Sequence, residues 1–328
     1  MRGVLIFMCV IVTISALSDK QIAQEWIKFK ENHNKVYLNI VEEKTRFEHF
    51  KTNLYKIHSH NKKYAQGEVS WYMKVNQFAD FSQAEFKHRL NLQKSMRPVA
   101  TNVTYYRFPS GLHAPNAIDW RQQNAVREVK NQGNCGDCWA FSATGSLEGQ
   151  FALKRNNPVS LSEQQLLDCS SSYGNGNCDE GGSMGLAFDY IRDNGIMATD
   201  AYPYEGQQSY CRYDSNRIVG KISGQVHVER LNEWALVEAV GTLGPISVGV
   251  HADFDFYGGG VFDKQGCPNG DGDLNHGMLA VGYGNENGVD YWIVKNSWGQ
   301  EWGEQGFIRM RRGINLCGIA IDPLYPVL

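Results

Sequence analysis

Gln132-Gly133-Asn134-Cys135-Gly136-Asp137-Cys138-Trp139-Ala140-Phe141 changes texture part-way along. Small and polar residues run up to Asp137, and from Cys138 to Leu153 there is neither proline nor a long β-branched run. The pattern predicts a loop followed by a helix whose first turn carries Cys138. Cys135-x2-Cys138 then has three readings: a metal-ligand pair, a redox pair, or one structural and one catalytic cysteine. A structural zinc site needs a second close Cys or His pair, and none follows at ligand spacing. A thioredoxin-like pair follows a strand in a βαβ unit, and no clear strand precedes Cys135.

Downstream, Ser162–Cys169 and Met184–Arg192 are helix candidates, the second with Met184, Ala187, Phe188 and Ile191 on one side. After Gly220 the texture becomes strand-like in Ile246–Val250, Met278–Tyr283, Tyr291–Lys295 and Gly306–Met310. A helix-rich half followed by a sheet-rich half makes an α+β body. With 42% apolar and 20% charged side chains, the chain can build a substantial core, which excludes disordered and collagen-like classes.

Upstream, Arg2 and the apolar run Val4–Leu17 precede Ala16-Leu17-Ser18, which reads as a signal peptide (1–18) cut near Ser18. That run is too short to span a bilayer, and no later one approaches the required length. Secretion favours disulfides, and without Cys9 seven cysteines remain, so three bridges leave one thiol over. Residues 19–113 carry 16 Lys/Arg against 9 Asp/Glu, and 114–328 carry 15 against 26. The basic charges are scattered, so an anionic body in the same chain is a simpler partner for them than nucleic acid. Between Gln21 and about Tyr64, Trp26, Phe29, Phe47, Phe50, Leu54 and Ile57 recur at helical steps, with Glu42 and Arg46 spaced for an i,i+4 ion pair. From Leu92 to Pro115 periodicity fades among prolines and an Asn102-Val103-Thr104 sequon, the texture of an exposed linker.

The segment around Cys138 resembles the active-site segment of papain-like cysteine peptidases. His276 follows 138 residues later in Leu274-Asn275-His276-Gly277, and Asn296 follows 158 later in Asn296-Ser297-Trp298-Gly299. Glu42, Arg46, Phe50, Asn53, Ile57 and Asn61 match the interrupted propeptide motif of the cathepsin L-like branch. Asn76, Phe78 and Asp80 match its second motif, with Lys74 where a small residue is usual. Ala114-Pro115-Asn116-Ala117-Ile118-Asp119-Trp120 resembles a mature N-terminus, which implies a propeptide over 19–113 and a peptidase over 114–328. The implied architecture is the two-domain papain-like fold, with a helical left domain, a β-barrel-like right domain and a helical inhibitory propeptide across the cleft.

The resemblance implies Cys138 as nucleophile, His276 as acid/base, Asn296 as its orienting partner and Gln132 as oxyanion donor. A free thiol near pKa 8.5 is only a few per cent thiolate at neutral pH, whereas a helix N-terminus and an imidazolium both favour the anion. The implied disulfides are Cys135–Cys178, Cys169–Cys211 and Cys267–Cys317, leaving Cys138 free. Gly181 and Gly182 are the implied backbone partners of an extended substrate. Met184, Gly249 and Leu274 are the implied pocket walls for P2, the residue second from the scissile bond on its amino side. Asp322 is the implied residue at the far end of that pocket, with open solvent or a surface arginine as the alternative for its side chain, and Trp298 is the implied shield of the His276–Asn296 bond. An acidic residue at that end implies acceptance of arginine as well as apolar residues. No metal or cofactor is implied; the partners are polypeptide substrates, the chain's own propeptide and cystatin-type inhibitors of a monomer in a lysosome or outside the cell. No occluding-loop insertion is visible, so the implied activity is endopeptidic. Two departures stand out: Asp137 where Ser or Ala is usual, a carboxylate beside the nucleophile that opposes thiolate formation, and Cys178-Asp179-Glu180-Gly181-Gly182, one residue longer than the usual Cys-x-Gly-Gly.

Overall fold

The structure, a computed structural model, describes residues 17–93, 105, 106 and 113–328. Most of the signal segment and the Asn102 sequon therefore lie outside the described residues. Helix α1 (Asp19–Asn32) opens on a reciprocal Ser18/Gln21 capping box, and α2 (Ile40–Ala65) on the Asn39 side chain, which accepts the N–H groups of Val41 and Glu42. Their apolar stripes meet: Trp26 and Phe29 pack on Phe50 with ring centroids 5.2 and 5.0 Å apart. Arg46 does not pair with Glu42. It reaches Glu85 at 2.8 Å and the Asp80 carbonyl, while Glu42 accepts the Leu38 N–H at the helix start. A tertiary contact offering a carboxylate and a carbonyl displaces the weak i,i+4 pair. Strand β1 (Trp71–Met73) and the short α3 (Gln83–His88) follow in the N-terminal segment.

The body begins with β2 (Ile118–Asp119), and its helices are α4 (Cys138–Arg155), α5 (Glu163–Cys169) and α6 (Met184–Asn194). Strands β3 (Ile196–Met197) and β4 (Ile218–Gly220) form a two-stranded sheet, and β5 (Gly224–His227) leads to α7 (Glu233–Leu243). This last helix corrects the strand-like reading after Gly220. Asn232 caps it, and Leu236, Val237 and Val240 are buried where sheet and helix meet. Then follow β6 (Ile246–Val250), β7 (Tyr257–Phe262), β8 (His276–Glu286), β9 (Val289–Lys295), β10 (Phe307–Arg311) and β11 (Leu324–Val327). The large sheet runs β1-β7-β10-β9-β8-β6-β11-β5, with β2 on β8; among the described residues no pair closes it, so the barrel-like half is an open sheet. Asn287 and Gly288 both have positive φ, the two-residue turn that sets the β8/β9 register.

Strand β1 of the N-terminal segment extends the body's own sheet by pairing antiparallel with β7. The ring of Tyr72 lies where Cβ atoms on Gly258 and Gly259 would come within 2.6 and 2.8 Å, so those glycines permit the approach. One apolar cluster accordingly runs from Ile22 and Phe50 through Phe78 and Phe86 into Phe254, Trp298 and Trp302 of the body. A second cluster, around Trp139, Leu147, Phe188 and Ile191, fills the helical half. Helix α4 is buried from Cys138 to Phe151 apart from half-buried Phe141, and it packs on α6, β8 and β6 between the halves. The disulfides are Cys135–Cys178, Cys169–Cys211 and Cys267–Cys317; Cys138 is free. Each closes a loop of 42–50 residues, worth about 4 kcal/mol on a chain-entropy model.

Candidate active site

Cys138 is the first residue of α4, where unpaired backbone N–H groups favour a negative charge. The N–H of Gly277 reaches its Sγ at 3.2 Å, so the start of β8 lies beside the thiol. His276 opens β8 and Asn296 directly follows β9, and the antiparallel register of those strands brings them together. The Nε2 of His276 is 2.8 Å from Asn296 Oδ1, which also accepts the Ser297 N–H. The ring therefore donates through Nε2, and in the neutral imidazole Nδ1 keeps a lone pair. Nδ1 is buried with no hydrogen-bond partner. Trp298 stacks on the imidazole at 4.7 Å.

Gln132 is fully buried, its Oε1 accepting from Ser297 Oγ at 2.6 Å. Its Nε2 donates to the carbonyls of Cys135 (2.7 Å) and of propeptide residue Arg89 (3.3 Å). Arg89 is buried too, its guanidinium 4.6 Å from the Phe78 ring centroid, donating to Asn134 Oδ1 and the Gly133 carbonyl. Burial lowers its pKa to about 10.

The stretch Asn91-Leu92-Gln93 lies along Gly182 as a parallel bridge. Gly182 donates to the Asn91 carbonyl (3.2 Å) and accepts from the Gln93 N–H (2.8 Å), while the Leu92 N–H reaches the Asn275 carbonyl (3.1 Å). Gly181 has φ +71°, and a Cβ there would lie 1.8 Å from the Asn91 carbonyl oxygen, so only glycine admits the chain this closely. The Leu92 side chain enters an apolar pocket beside Gly249 and Leu274, against the cluster that contains Met184. The extra residue after Cys178 is absorbed in a turn: Asn177 Oδ1 accepts the Asp179 and Glu180 N–H groups. The Asp179 and Glu180 carbonyls then accept from the side chains of Asn91 and Gln93. Asp322 is half-buried with its carboxylate 3.5 Å from Nδ1 of His227, a partner other than the surface arginine or open solvent that were its alternatives to the pocket.

With the propeptide in place, the thiol and imidazole are completely buried. Desolvation first, then the nearby Asp137 charge, push the Cys138 pKa up to about 12, against hydrogen bonds from the N–H groups of Gly277, Trp139 and Asn91. Desolvation pulls His276 down to about 4 despite its bond to Asn296. Both shifts favour the neutral pair. The Asn91 N–H is turned toward the sulfur, and the Asn91 carbonyl accepts from Gly182.

A model described as papain family cysteine protease matches residues 114–327, and one described as the cathepsin propeptide inhibitor domain matches 26–86. The chain belongs to the papain family of cysteine proteases. Its body is cathepsin L-like, and its N-terminal segment is the inhibitor domain that makes it a zymogen. It is 44% identical to cathepsin L of Sarcophaga peregrina and 43% identical to digestive cysteine proteinase 3 of Homarus americanus, covering all of each. The digestive procathepsin L 3 of Tenebrio molitor larval midgut superimposes with a TM-score of 0.87 at 47% identity, over 94% of this chain and 99% of that one.

Each propeptide motif residue has a contact in this zymogen. Asn53 donates to the Ala79 and Phe81 carbonyls, Asn61 exchanges two hydrogen bonds with Met73, and Asn76 donates to the Asp255 carbonyl. Asp80 accepts from Lys35 and Tyr37, and Phe78 and Phe86 both meet Trp298 edge-on at 5.4 Å. Lys74, where a small residue is usual, donates to the Gly303 carbonyl. Sequence reasoning missed the groups that occupy the cleft, Arg89 and Asn91-Leu92-Gln93, because they follow the propeptide motifs with no pattern of their own.

Proposed function

We propose that this protease is a secretory-pathway endopeptidase in which Cys138 attacks the scissile carbonyl, His276 shuttles the proton and Asn296 holds the ring. The observation that carries this is the unpartnered Nδ1 of a ring held at Nε2, beside a free thiol at a helix start. Once the propeptide leaves, water and the helix N-terminus favour the thiolate, and the imidazolium protonates the departing amine. Gln132 Nε2, relieved of the Arg89 carbonyl, and the Cys138 N–H donate to the oxyanion. Cys138→Ser tests the assignment: a folded precursor that neither matures nor cleaves peptides is expected, and hydrolysis within about tenfold of wild type overturns it.

The proposed boundaries are a signal peptide over 1–18, the propeptide over 19–113 and the mature enzyme from Ala114, where the protease family match begins. Substrates take the main-chain site of Gly181 and Gly182 now held by the propeptide. Their P2 side chain takes the pocket of Leu92, walled by Gly249, Leu274 and Met184. Asp322 extends that pocket's reach to arginine when a guanidinium competes with His227 for the carboxylate. The mature enzyme is a monomer open to cystatin-type inhibitors. Among the described residues no helix is long and apolar enough to cross a membrane. The site of action is a lysosome or the extracellular space, and two relatives described as digestive support a luminal role.

A further inference from the structure

Asp137, the residue before the nucleophile, is wholly buried at the N-cap position of α4, yet its side chain caps no backbone N–H. Its two oxygens lie 2.9 and 2.8 Å from the hydroxyl of Tyr204, and that hydroxyl lies 2.9 Å from the carbonyl oxygen of Gln132. Hydrogen counting separates the two protonation states. Tyr204 has a single proton to donate. If Asp137 is ionised, that proton goes to the carboxylate, whose other donor is its own backbone N–H, and the Gln132 carbonyl faces the Tyr204 oxygen at 2.9 Å with no hydrogen between them and only the Cys135 N–H, at 3.3 Å, to serve it. If Asp137 is protonated, its O–H donates to the Tyr204 oxygen, whose own O–H donates to the Gln132 carbonyl, and the chain of bonds is complete.

The surrounding groups favour the same state. Burial raises the Asp137 pKa well above its ordinary value and Glu163 of α5 adds repulsion, while the hydrogen bonds from Tyr204 and from its own backbone N–H oppose this. Tyr204 feels both Asp137 and Glu163 and, from the propeptide, Arg89, whose positive charge departs on maturation. Cys138 follows in the chain, and charge on Asp137 raises its pKa further. Tyr204, Gln132 and Glu163 all belong to the protease body, so they remain after the propeptide is removed.

We propose that Asp137 is a neutral carboxylic acid in the working enzyme and acts as a positioning residue. Through Tyr204 it ties the loop bearing the oxyanion donor Gln132 to the start of the nucleophile helix, and its ionisation at higher pH withdraws activity. This rests on the assignment of Cys138 as nucleophile. An ionised carboxylate next to the thiolate raises the Cys138 pKa, and it breaks the tie to Gln132. The protein therefore limits its own activity on the alkaline side.

The test is kcat/KM against pH for enzyme matured from the full chain, as wild type, Asp137→Asn and Tyr204→Phe. The asparagine amide donates to Tyr204 as the acid does and cannot ionise. Asp137→Asn is expected within about threefold of wild type near pH 5 and about tenfold or more above it near pH 8. Tyr204→Phe is expected to fall below wild type at both. Superimposable wild-type and Asp137→Asn profiles overturn the proposal. An infrared difference spectrum of the Cys138→Ser zymogen with and without Asp137→Asn reads the acid directly and needs no activity. A protonated carboxylic acid band near neutral pH is expected, and its absence overturns the proposal. Should Cys138→Ser itself retain hydrolysis, the nucleophile assignment fails, while the infrared result still decides the state of Asp137.

Discussion

Phe78→Ala should make the zymogen leak, because this ring joins the propeptide's own core to Trp298, which stacks on His276. Phe78 is 1% exposed and touches Phe81, Phe86 and Arg89 on the propeptide side and Trp298 on the body side. Truncating a buried phenylalanine costs about 3–5 kcal/mol. Two of its three aromatic partners lie within the propeptide, so we assign roughly 2 kcal/mol to docking, about thirtyfold in the open-to-closed equilibrium. The closed site buries its only thiol completely, so the rate at which iodoacetamide alkylates Cys138 in the full-length zymogen near neutral pH reports the open fraction. A rise of about thirtyfold is expected, with no change for Leu38→Ala, which alters a side chain 94% exposed at the tip between α1 and α2. Alkylation within about twofold of wild type refutes the idea that Phe78 clamps the site.

Other consequences can be measured in the same preparations. Because Lys56 bonds both oxygens of Asp255, and His33 and His88 sit near Glu301 and Asp179, acid should loosen the propeptide by protonating carboxylates. Separately added propeptide should inhibit mature enzyme more weakly at about pH 4 than at about pH 6.5, and more weakly as salt rises; inhibition indifferent to both removes charge from the account. For Asp322→Ala, kcat/KM should fall about 5- to 150-fold with arginine at P2 and stay unchanged with phenylalanine, and an equal response of the two substrates places Asp322 outside the pocket. Lys130, which bonds Glu148 and Glu163 at 3.2 and 2.7 Å, is raised in pKa because those carboxylates outweigh its desolvation. Lys130→Met strands both buried carboxylates and should cost about 3–5 kcal/mol by denaturant unfolding; a loss under about 1 kcal/mol contradicts that electrostatic role.

Local chemistry made much of this protein readable from its residues. Capping residues such as Ser162 and Asn39 act within one turn, Asn287-Gly288 supplies the φ values of its own hairpin turn, and alternating or helical apolar spacing marks the face an element will bury. The odd cysteine followed from counting, and the Cys138, His276 and Asn296 trio from motifs that each keep their own short context. Contacts between residues far apart in the chain were decided by tertiary structure alone. Helix α7 was masked by an apolar composition that suits helix and strand alike, and β7 by its three glycines, two of which admit Tyr72. The partner of Arg46 was 39 positions away at Glu85, beyond any helical spacing rule. Asp137 read in sequence as a charge opposed to the thiolate, but burial against Tyr204, 67 residues further on, favours its neutral acid. A carboxyl group's charge depends on what surrounds it in space, and only the folded chain brings those surroundings together.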